Sequence, residues 1–511
     1  SAEEAEVYGF STLCTAVVIW AMCKWEEVSD EPHAERWIIL LAYVMGLSIG
    51  VHILNLLAIP ALVLIYYFKK YQVNKKGLAI AMLVSIAILA GLLYGLMPSY
   101  FWLAGYVELF FVNTLSMPFN SGLLAYIAIS AIALGWALYE TRAQKNDTRA
   151  KIAFLVAIAL SGVPFLGTRL WLGIVILAAT ALLFFYFKKA LSNHAMHLIV
   201  TVVTMLLIGY STFAVIVIRS NATPPMDQNG PDNVFSLMSY LSRDQYGDQP
   251  SLLYGPLYTA EYKWKPAEGG TCLPEEKIGA ARYAKKPKTN PNEKDQYIIT
   301  GYKKDIVYDD AFCTLFPRMY SQQPSHVQAY KEWAGEPENT VDYEPCGQQQ
   351  SAQAPSFIQN IGFFFSYQVN FMYWRYFMWN FSGRQNDMQS MGEVDRGNWI
   401  TGINFIDNLM VGDQSNLPDE LSQNKGHNRY FLLPLLLGLL GLFYLVYRGK
   451  EGMHAFWIIL VLFFMMGIAI VIYLNQTPAQ PRERDYAYLG SFYAFAIWIG
   501  LGVMAIFDFL S

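Results

Sequence analysis

The chain has 511 residues, of which 54% are hydrophobic, 15% aromatic and only 15% charged. A mean hydropathy of +0.26 excludes an ordinary soluble domain of this length and points to an integral membrane protein. The formal net charge of −4 offers no basic surface to nucleic acid, so where the charges fall matters more than their sum.

Apolar runs fall near residues 8–24, 37–68, 78–97, 121–139, 152–166, 170–187, 198–218, 431–447, 455–474 and 490–510. As one helix the second run would reach about 48 Å, well beyond a hydrocarbon core of about 30 Å. It therefore reads as two short passes meeting near Gly50 to Asn55. The expected fold is mainly α: a polytopic membrane helix bundle of about eleven crossings with a mixed α/β extracytoplasmic insert. Four short loops are basic: Lys69, Lys70, Lys75 and Lys76; Arg142, Lys145, Arg149 and Lys151; Lys188 and Lys189; Arg448 and Lys450. Counting crossings puts all four on one side, which the excess of positive charge makes cytoplasmic. Segments 98–120, 162–169, 219 to about 430 and 475–489 then face outward. No initiator Met precedes Ser1, and Ser511 follows an apolar run with no polar flank, so the chain reads as a fragment of a longer protein.

In residues 1–218, the N-terminal transmembrane bundle, few ionisable groups lie at membrane depth, and each needs a reason to be there. Glu6 and Tyr8 open the first span on its outer side, Glu6 being the carboxylate there placed to face a membrane-level pocket or else simply solvated. His52 and Asn55 share a helix face at the proposed break. They either line a donor pocket or satisfy the broken backbone. Arg169, after Gly167 and Thr168 in a short outer loop, is either an anion contact or an interfacial anchor.

Residues 219–355 form an extracytoplasmic mixed domain, polar and rich in Pro, Gly and Lys. Asp232 or Asn233 is placed to cap a short helix in which Val234, Leu237, Met238 and Leu241 fall on one face. Tyr297 to Gly301 and Asp305 to Tyr308, flanking a lysine pair, read as a small hairpin. Cys272, Cys313 and Cys346 lie in what should be an oxidising compartment, so one bridged pair and one left-over thiol are expected. Cys14 and Cys23 read as packing residues of the first span. No Cys-x-x-Cys or His-Glu-x-x-His spacing occurs, so no metal site is assigned, and nucleotide and serine hydrolysis find no support.

Residues 356–430 begin with an aromatic stretch that, as a helix, sets Gln368 and Arg375 on one face and suits the membrane interface. It should lie on or dip into the outer leaflet, placing Arg375 and Arg384 on the outer side. Arg375 alternatively snorkels as a simple interfacial residue. Residues 431–511 hold the C-terminal transmembrane helices, interrupted by the outer link 475–489. There Arg482, Glu483, Arg484 and Asp485 follow one another on a segment stiffened by Pro478 and Pro481. Such a link either grips an anion such as a lipid phosphate or is an ordinary polar loop among headgroups.

Several strings carry a resemblance: Ala5-Glu-Val-Tyr8, the segment Gly46 to Pro60, Ile218-Arg-Ser-Asn-Ala-Thr-Pro-Pro225, Arg243-Asp-Gln-Tyr-Gly247, the segment Arg375 to Asp387, and Gln476-Thr-Pro-Ala-Gln-Pro-Arg-Glu-Arg-Asp-Tyr-Ala-Tyr488. Over nearly its whole length the chain resembles a multipass, protein O-mannosyltransferase-like family common in Bacteroidota, long carried as a domain of unknown function, with animal relatives that mannosylate receptor ectodomains. The resemblance implies a lipid-donor glycosyltransferase of the GT-C type in the bacterial inner membrane. Its active site would face the periplasm with segment 219–430, among membrane lipids. A polyprenyl-phosphate sugar, mannose first, would be the donor, and a secreted or periplasmic protein the acceptor. Such families carry the catalytic acid in an Asp-x-Gly-Glu-like motif after the first membrane helix. This chain shows no such motif, which implies an inactive fragment.

Transfer of a sugar to a Ser or Thr hydroxyl needs a carboxylate to take the proton and cations to stabilise the departing phosphate. Arginine suits the second task, because its planar fork holds phosphate through two parallel hydrogen bonds. Arg482 and Arg484 are the first candidates, then Arg375, Arg384 and Arg169. His52, Asn55, Tyr8, Gln476 and Asp485 would line the pocket, with Tyr486 or Tyr488 stacking on sugar or prenyl chain. No cofactor is required by this scheme, and a divalent ion is left open. A lipid-diphosphate oligosaccharide ligase or polymerase would share the outer arginines. A transporter or scaffold would instead place polar residues at the span centres, and the polar groups here cluster toward the outer face.

Overall fold

Apolar helices dominate the computed structural model, which describes residues 7–186, 191–244, 251–266, 272–413 and 417–511. Among these, seven helices are long and apolar enough to cross a membrane: Val7–Val28, Ile53–Lys70, Lys75–Thr114, Ser121–Ala143, Asn193–Asn221, Gly449–Leu474 and Asp485–Leu510. Arg36–Ile49, Leu170–Tyr186 and Leu433–Tyr447 are apolar but shorter. The strands pair into small two-stranded sheets.

The 37–68 run breaks where Gly50, His52 and Asn55 interrupt it. Helix Arg36–Ile49 ends, His52 is extended, a tight turn covers Ile53–Ala58, and Ile59–Lys70 resumes with Pro60 in its first turn, where a missing N–H costs nothing. The amide of Leu54 donates to His52 Nδ1 at 3.2 Å. Asn55 is fully buried; its Nδ2 donates to Ser48 Oγ at 2.7 Å and its Oδ1 accepts from Thr15 Oγ1 at 3.0 Å. His52 thus takes up a backbone donor at the break, while Asn55 ties it to the side chains of Ser48 and Thr15.

Two expectations are corrected. Segment 98–120 is not mainly a connection, because Lys75–Thr114 is one 40-residue helical run. At 1.5 Å per residue it extends about 60 Å, roughly twice a hydrocarbon core. Pro98 lies in the first turn of Met97–Leu109, just after wide turns over Gly91–Leu96, which absorb the missing hydrogen bond. The second correction concerns the hairpin expected within 297–308. Tyr297–Ile306 is one strand, paired with Glu276–Lys285. The lysine pair lies within the strand, Lys304 reaching Glu276 at 2.6 Å, and the turn falls where Pro287, Asn290 and Pro291 cluster.

The chain folds into two compact units. One comprises Ser1–Thr12, Gln249–Lys277 and Lys304–Ser511, the other Leu13–Asp248 and Ile278–Lys303. Both use glycine where membrane helices approach closely, as membrane packing favours. In the second unit a Cβ on Gly209 would meet Leu47 N and Tyr43 O at 2.6 Å. In the first, a Cβ on Gly441 would overlap the carbonyl of Trp498, and one on Gly502 that of Leu437. Also in the second unit, Asn233 caps Val234–Ser242 as expected, accepting from the amides of Phe235 and Ser236.

The polar part of the first unit has its own small core of Leu257, Ala260, Phe312 and Ala354. A disulfide joins Cys272 to Cys346 across 74 residues and leaves Cys313 a free thiol. Closing so long a loop restricts the unfolded chain, so Cys346→Ser should destabilise this region by about 2–5 kcal/mol. The readout is faster limited proteolysis between residues 272 and 346. An unchanged cleavage rate would mean that the small apolar core suffices.

Candidate functional site

The charged link is held by the aromatic helix that precedes it in sequence. Ser356 opens that helix through reciprocal hydrogen bonds with Gln359, and the chain continues helically from Phe357 to Phe381, with wide turns over Phe364–Trp374. Long stretches of wide turn are rare and recur at functional sites. The run is not among the seven helices long and apolar enough to cross a membrane. Gln368 and Arg375 both turn toward the link, as their expected common face required.

Arg375 is 3% exposed, and four of its N–H bonds are already used. Nη1 and Nη2 meet the two Glu483 carboxylate oxygens at 3.2 and 2.7 Å. Nη1 also donates to Gly397 O at 2.9 Å and Nε to Phe371 O at 3.0 Å. Its guanidinium lies 3.8 Å from the Phe371 ring centroid. The Tyr376 hydroxyl donates to Glu483 Oε2 at 2.6 Å and accepts from the Arg484 amide at 3.1 Å. Burial raises the pKa of that hydroxyl, against the pull of Arg375 and with help from Glu483, so it stays a donor. Ser390 N completes the set, donating to Glu483 Oε1 at 3.0 Å. Arg375 and Glu483 are thus fastened to each other, and Arg375 serves to position the link.

The other arginines are used differently. Arg384 lays its guanidinium 3.9 Å from the Trp379 ring centroid, and burial lowers its pKa while Asp485 and Glu483 oppose the shift. Arg384 Nε and Arg484 Nε are both buried and lack a hydrogen-bond partner among the described residues. Such donors are costly unless something accepts from them. Arg482 is exposed and rests 5.0 Å from the Tyr486 ring centroid. Tyr486 in turn meets Tyr8 at 4.5 Å. Below them, Gln368 Nε2 donates to Asn475 Oδ1 at 3.1 Å and Gln476 O at 2.8 Å, while Gln368 Oε1 and Gln476 Nε2 have no hydrogen-bond partner among the described residues. Tyr488 is enclosed, its hydroxyl 3.4 Å from Gln476 Oε1. Asp485 begins the short turn Asp485–Tyr488.

Beside the Glu483 clamp lies a cavity of about 330 Å³. Helix Pro324–Ala334 supplies Ser325, Gln328, Ala329, Glu332 and Trp333; the aromatic helix supplies Tyr367, Phe371, Met372 and Tyr376; residues 389–391 and the link supply the rest, including Gln480, Arg482 and Glu483. All of these belong to the first unit. His52, Asn55 and Arg169 belong to the second and do not line the cavity; Arg169 is exposed. Glu6 lies outside the described residues. No group of His, Cys, Asp and Glu among the described residues is arranged to hold a metal ion.

Sequence reasoning passed over Glu483 as the partner of Arg375 and the whole wall from Pro324–Ala334. A signal for that wall existed: Ser325, Gln328, Glu332 and Trp333 recur at helical spacing on one face. It also passed over the Gly-x-Ser-x-Gly spacing of Gly46-Leu-Ser-Ile-Gly50. That string forms the end of helix Arg36–Ile49, with Ser48 fully buried and donating to Met45 O at 2.8 Å. A nucleophile elbow needs a strand-to-helix turn that exposes the serine.

Among curated proteins and solved structures, nothing matches this chain. Residues 247–365 match the model of a family of unknown function, DUF8416. Residues 1–75 match the model described as the Protein O-mannosyl-transferase TMEM260 N-terminal domain, a likeness that, with the apolar helices, fits a membrane glycosyltransferase.

Proposed function

We propose that this protein transfers a sugar, mannose in the first instance, from a polyprenyl-phosphate donor to Ser or Thr hydroxyls of extracytoplasmic proteins. It would work in a bacterial inner membrane as a GT-C type bundle of about eleven crossings, with residues 219–430 facing the periplasm. The observation that carries the reading is the pair of buried N–H groups on Arg384 and Arg484 that find no acceptor among the described residues, on and beside a link whose position is fixed by Glu483. A phosphate within reach of either group would give it an acceptor, and at Arg384 would offset the desolvation of the guanidinium. In the reaction the acceptor oxygen bonds to the anomeric carbon as the bond to the phosphate oxygen breaks. The electron pair leaves with the phosphate, which Arg482, Arg484 and Arg384 stabilise, and a carboxylate takes the hydroxyl proton. Arg375, with its donors engaged, contributes by holding the link rather than by touching the donor.

The test is mannose transfer by membranes containing the full-length protein, supplied with polyprenyl-phosphate mannose and a periplasmic acceptor. Replacing Arg482 and Arg484 together by Ala should lower transfer by at least about tenfold. Undiminished transfer would remove the arginines from the mechanism. A folded protein that accepts no monosaccharide lipid would replace this reaction with oligosaccharide transfer.

A further inference from the structure

We infer that the cavity beside Glu483 is a binding site for a neutral pyranose, and that helix Pro324–Ala334 selects the sugar. The module over residues 247–365, which the family of unknown function matches, would then be the specificity wall of the site. The binding itself is independent of the proposed reaction; only the identification of the occupant as the donor's sugar rests on that reading.

The chemistry of the lining carries the inference. A pyranose has C–H faces that pack on aromatic rings and a rim of hydroxyls that both donate and accept. Trp333 provides a ring, braced by Tyr367 at 5.1 Å and Phe371 at 5.2 Å. Around it stand groups that pair with hydroxyls. Gln328 Nε2 donates to Glu332 Oε1 at 3.0 Å, which orients both side chains and leaves the second carboxylate oxygen and the amide oxygen as acceptors. Across the cavity, Gln389 Nε2 donates to Gln480 O and Gln480 Nε2 to Thr477 O, so both side-chain oxygens remain to accept. A few placed polar groups on an aromatic lining are what small-molecule sites share, and about 330 Å³ lies within their usual range.

Other occupants fit worse. A hydrocarbon chain would strip water from these amides and from Glu332 without replacing its hydrogen bonds. An acidic sugar would meet Glu332 and Glu483. Arg482, the one cation among the lining residues, marks where the phosphate of a sugar phosphate would enter.

The experiment titrates the purified full-length protein in detergent with methyl α-mannoside, α-glucoside, α-galactoside and glucuronic acid, followed by saturation-transfer NMR. At least one neutral glycoside should bind saturably, and glucuronic acid should not. Glu332→Gln, at an exposed position where folding is not at stake, should weaken binding about tenfold; Trp333→Ala should do so at least as strongly. No saturable binding of any neutral glycoside, or unchanged binding in Glu332→Gln, would overturn the inference. Mannose transfer that persists in both variants would overturn the identification of the occupant as the donor's sugar while leaving the proposed reaction standing. Glu332-dependent binding in a protein that transfers nothing would leave the site standing without that reaction.

Discussion

Glu483→Gln should destabilise the protein by about 3–5 kcal/mol, the usual cost of removing one partner from a buried ion pair. At 3% exposure Arg375 cannot turn to water. The amide would leave one guanidinium charge unmatched, and its NH2 would face the donors that now point at Glu483: Arg375, Tyr376 and Ser390. Thermal unfolding in detergent is the readout. Removing both charges in Arg375→Met/Glu483→Leu should cost less than Glu483→Gln alone, because no charge is then stranded. If the single variant unfolds like the parent, the pair is not what fixes the link. The variant should also lose transfer, since Arg484 N leans on the hydroxyl that Glu483 orients.

Glu108→Ala should be nearly as damaging, at about 3 kcal/mol or more. Fully buried in the second unit, Glu108 accepts from the amides of Asn120 at 2.6 Å and Leu123 at 3.0 Å and from the Tyr297 hydroxyl at 3.0 Å. The amides belong to the start of helix Ser121–Ala143, whose first-turn N–H groups have no partner within the helix and favour a negative charge. Burial and the Glu108 charge raise the pKa of the Tyr297 hydroxyl, which therefore remains a donor. Asn113 reinforces the contact, its side chain bonding both the N–H and the C=O of Tyr297. Truncation strands three donors and releases the strand Tyr297–Ile306, so faster proteolysis within 276–306 should accompany the lower unfolding temperature. Tyr297→Phe, losing one hydrogen bond, should cost about 1 kcal/mol. Equal effects of the two substitutions would show that Glu108 matters only through Tyr297.

The seven long apolar helices were legible because such a helix announces itself by composition alone. The break near Gly50 was legible because Gly, His and Asn cluster where an apolar run is too long. The grouping of Arg482 and Arg484 on a Pro-stiffened link could also be read directly. What could not be read was long-range pairing. Arg375 and Glu483 lie 108 residues apart, and neither residue alone says whether it will face a phosphate or a carboxylate. Ranking Arg375 with the other arginines followed from charge, which is the same whether the side chain is engaged or open. The hairpin was misplaced for a similar reason: local turn signals located a turn, but strand Tyr297–Ile306 takes its partner from across residues 286–296. The apolar run stops at residue 97, but proline costs little in the first turn of a helix, so Pro98 lets the helical run Lys75–Thr114 continue.

The hairpin's attachment sets how this protein can be taken apart. Residues 247–365 match a single family model, which suggests a cassette that could be excised or exchanged. Yet the structure folds 278–303 into the unit of helices that holds Glu108, and Tyr297 is bound there through both its hydroxyl and its backbone. A chimera that swapped the cassette alone would leave Glu108 and Asn113 facing a foreign strand. A graft that keeps its fold would have to carry residues 97–123 along with the cassette. Inheritance of this module should therefore be coupled to a membrane helix that lies more than a hundred residues upstream of it.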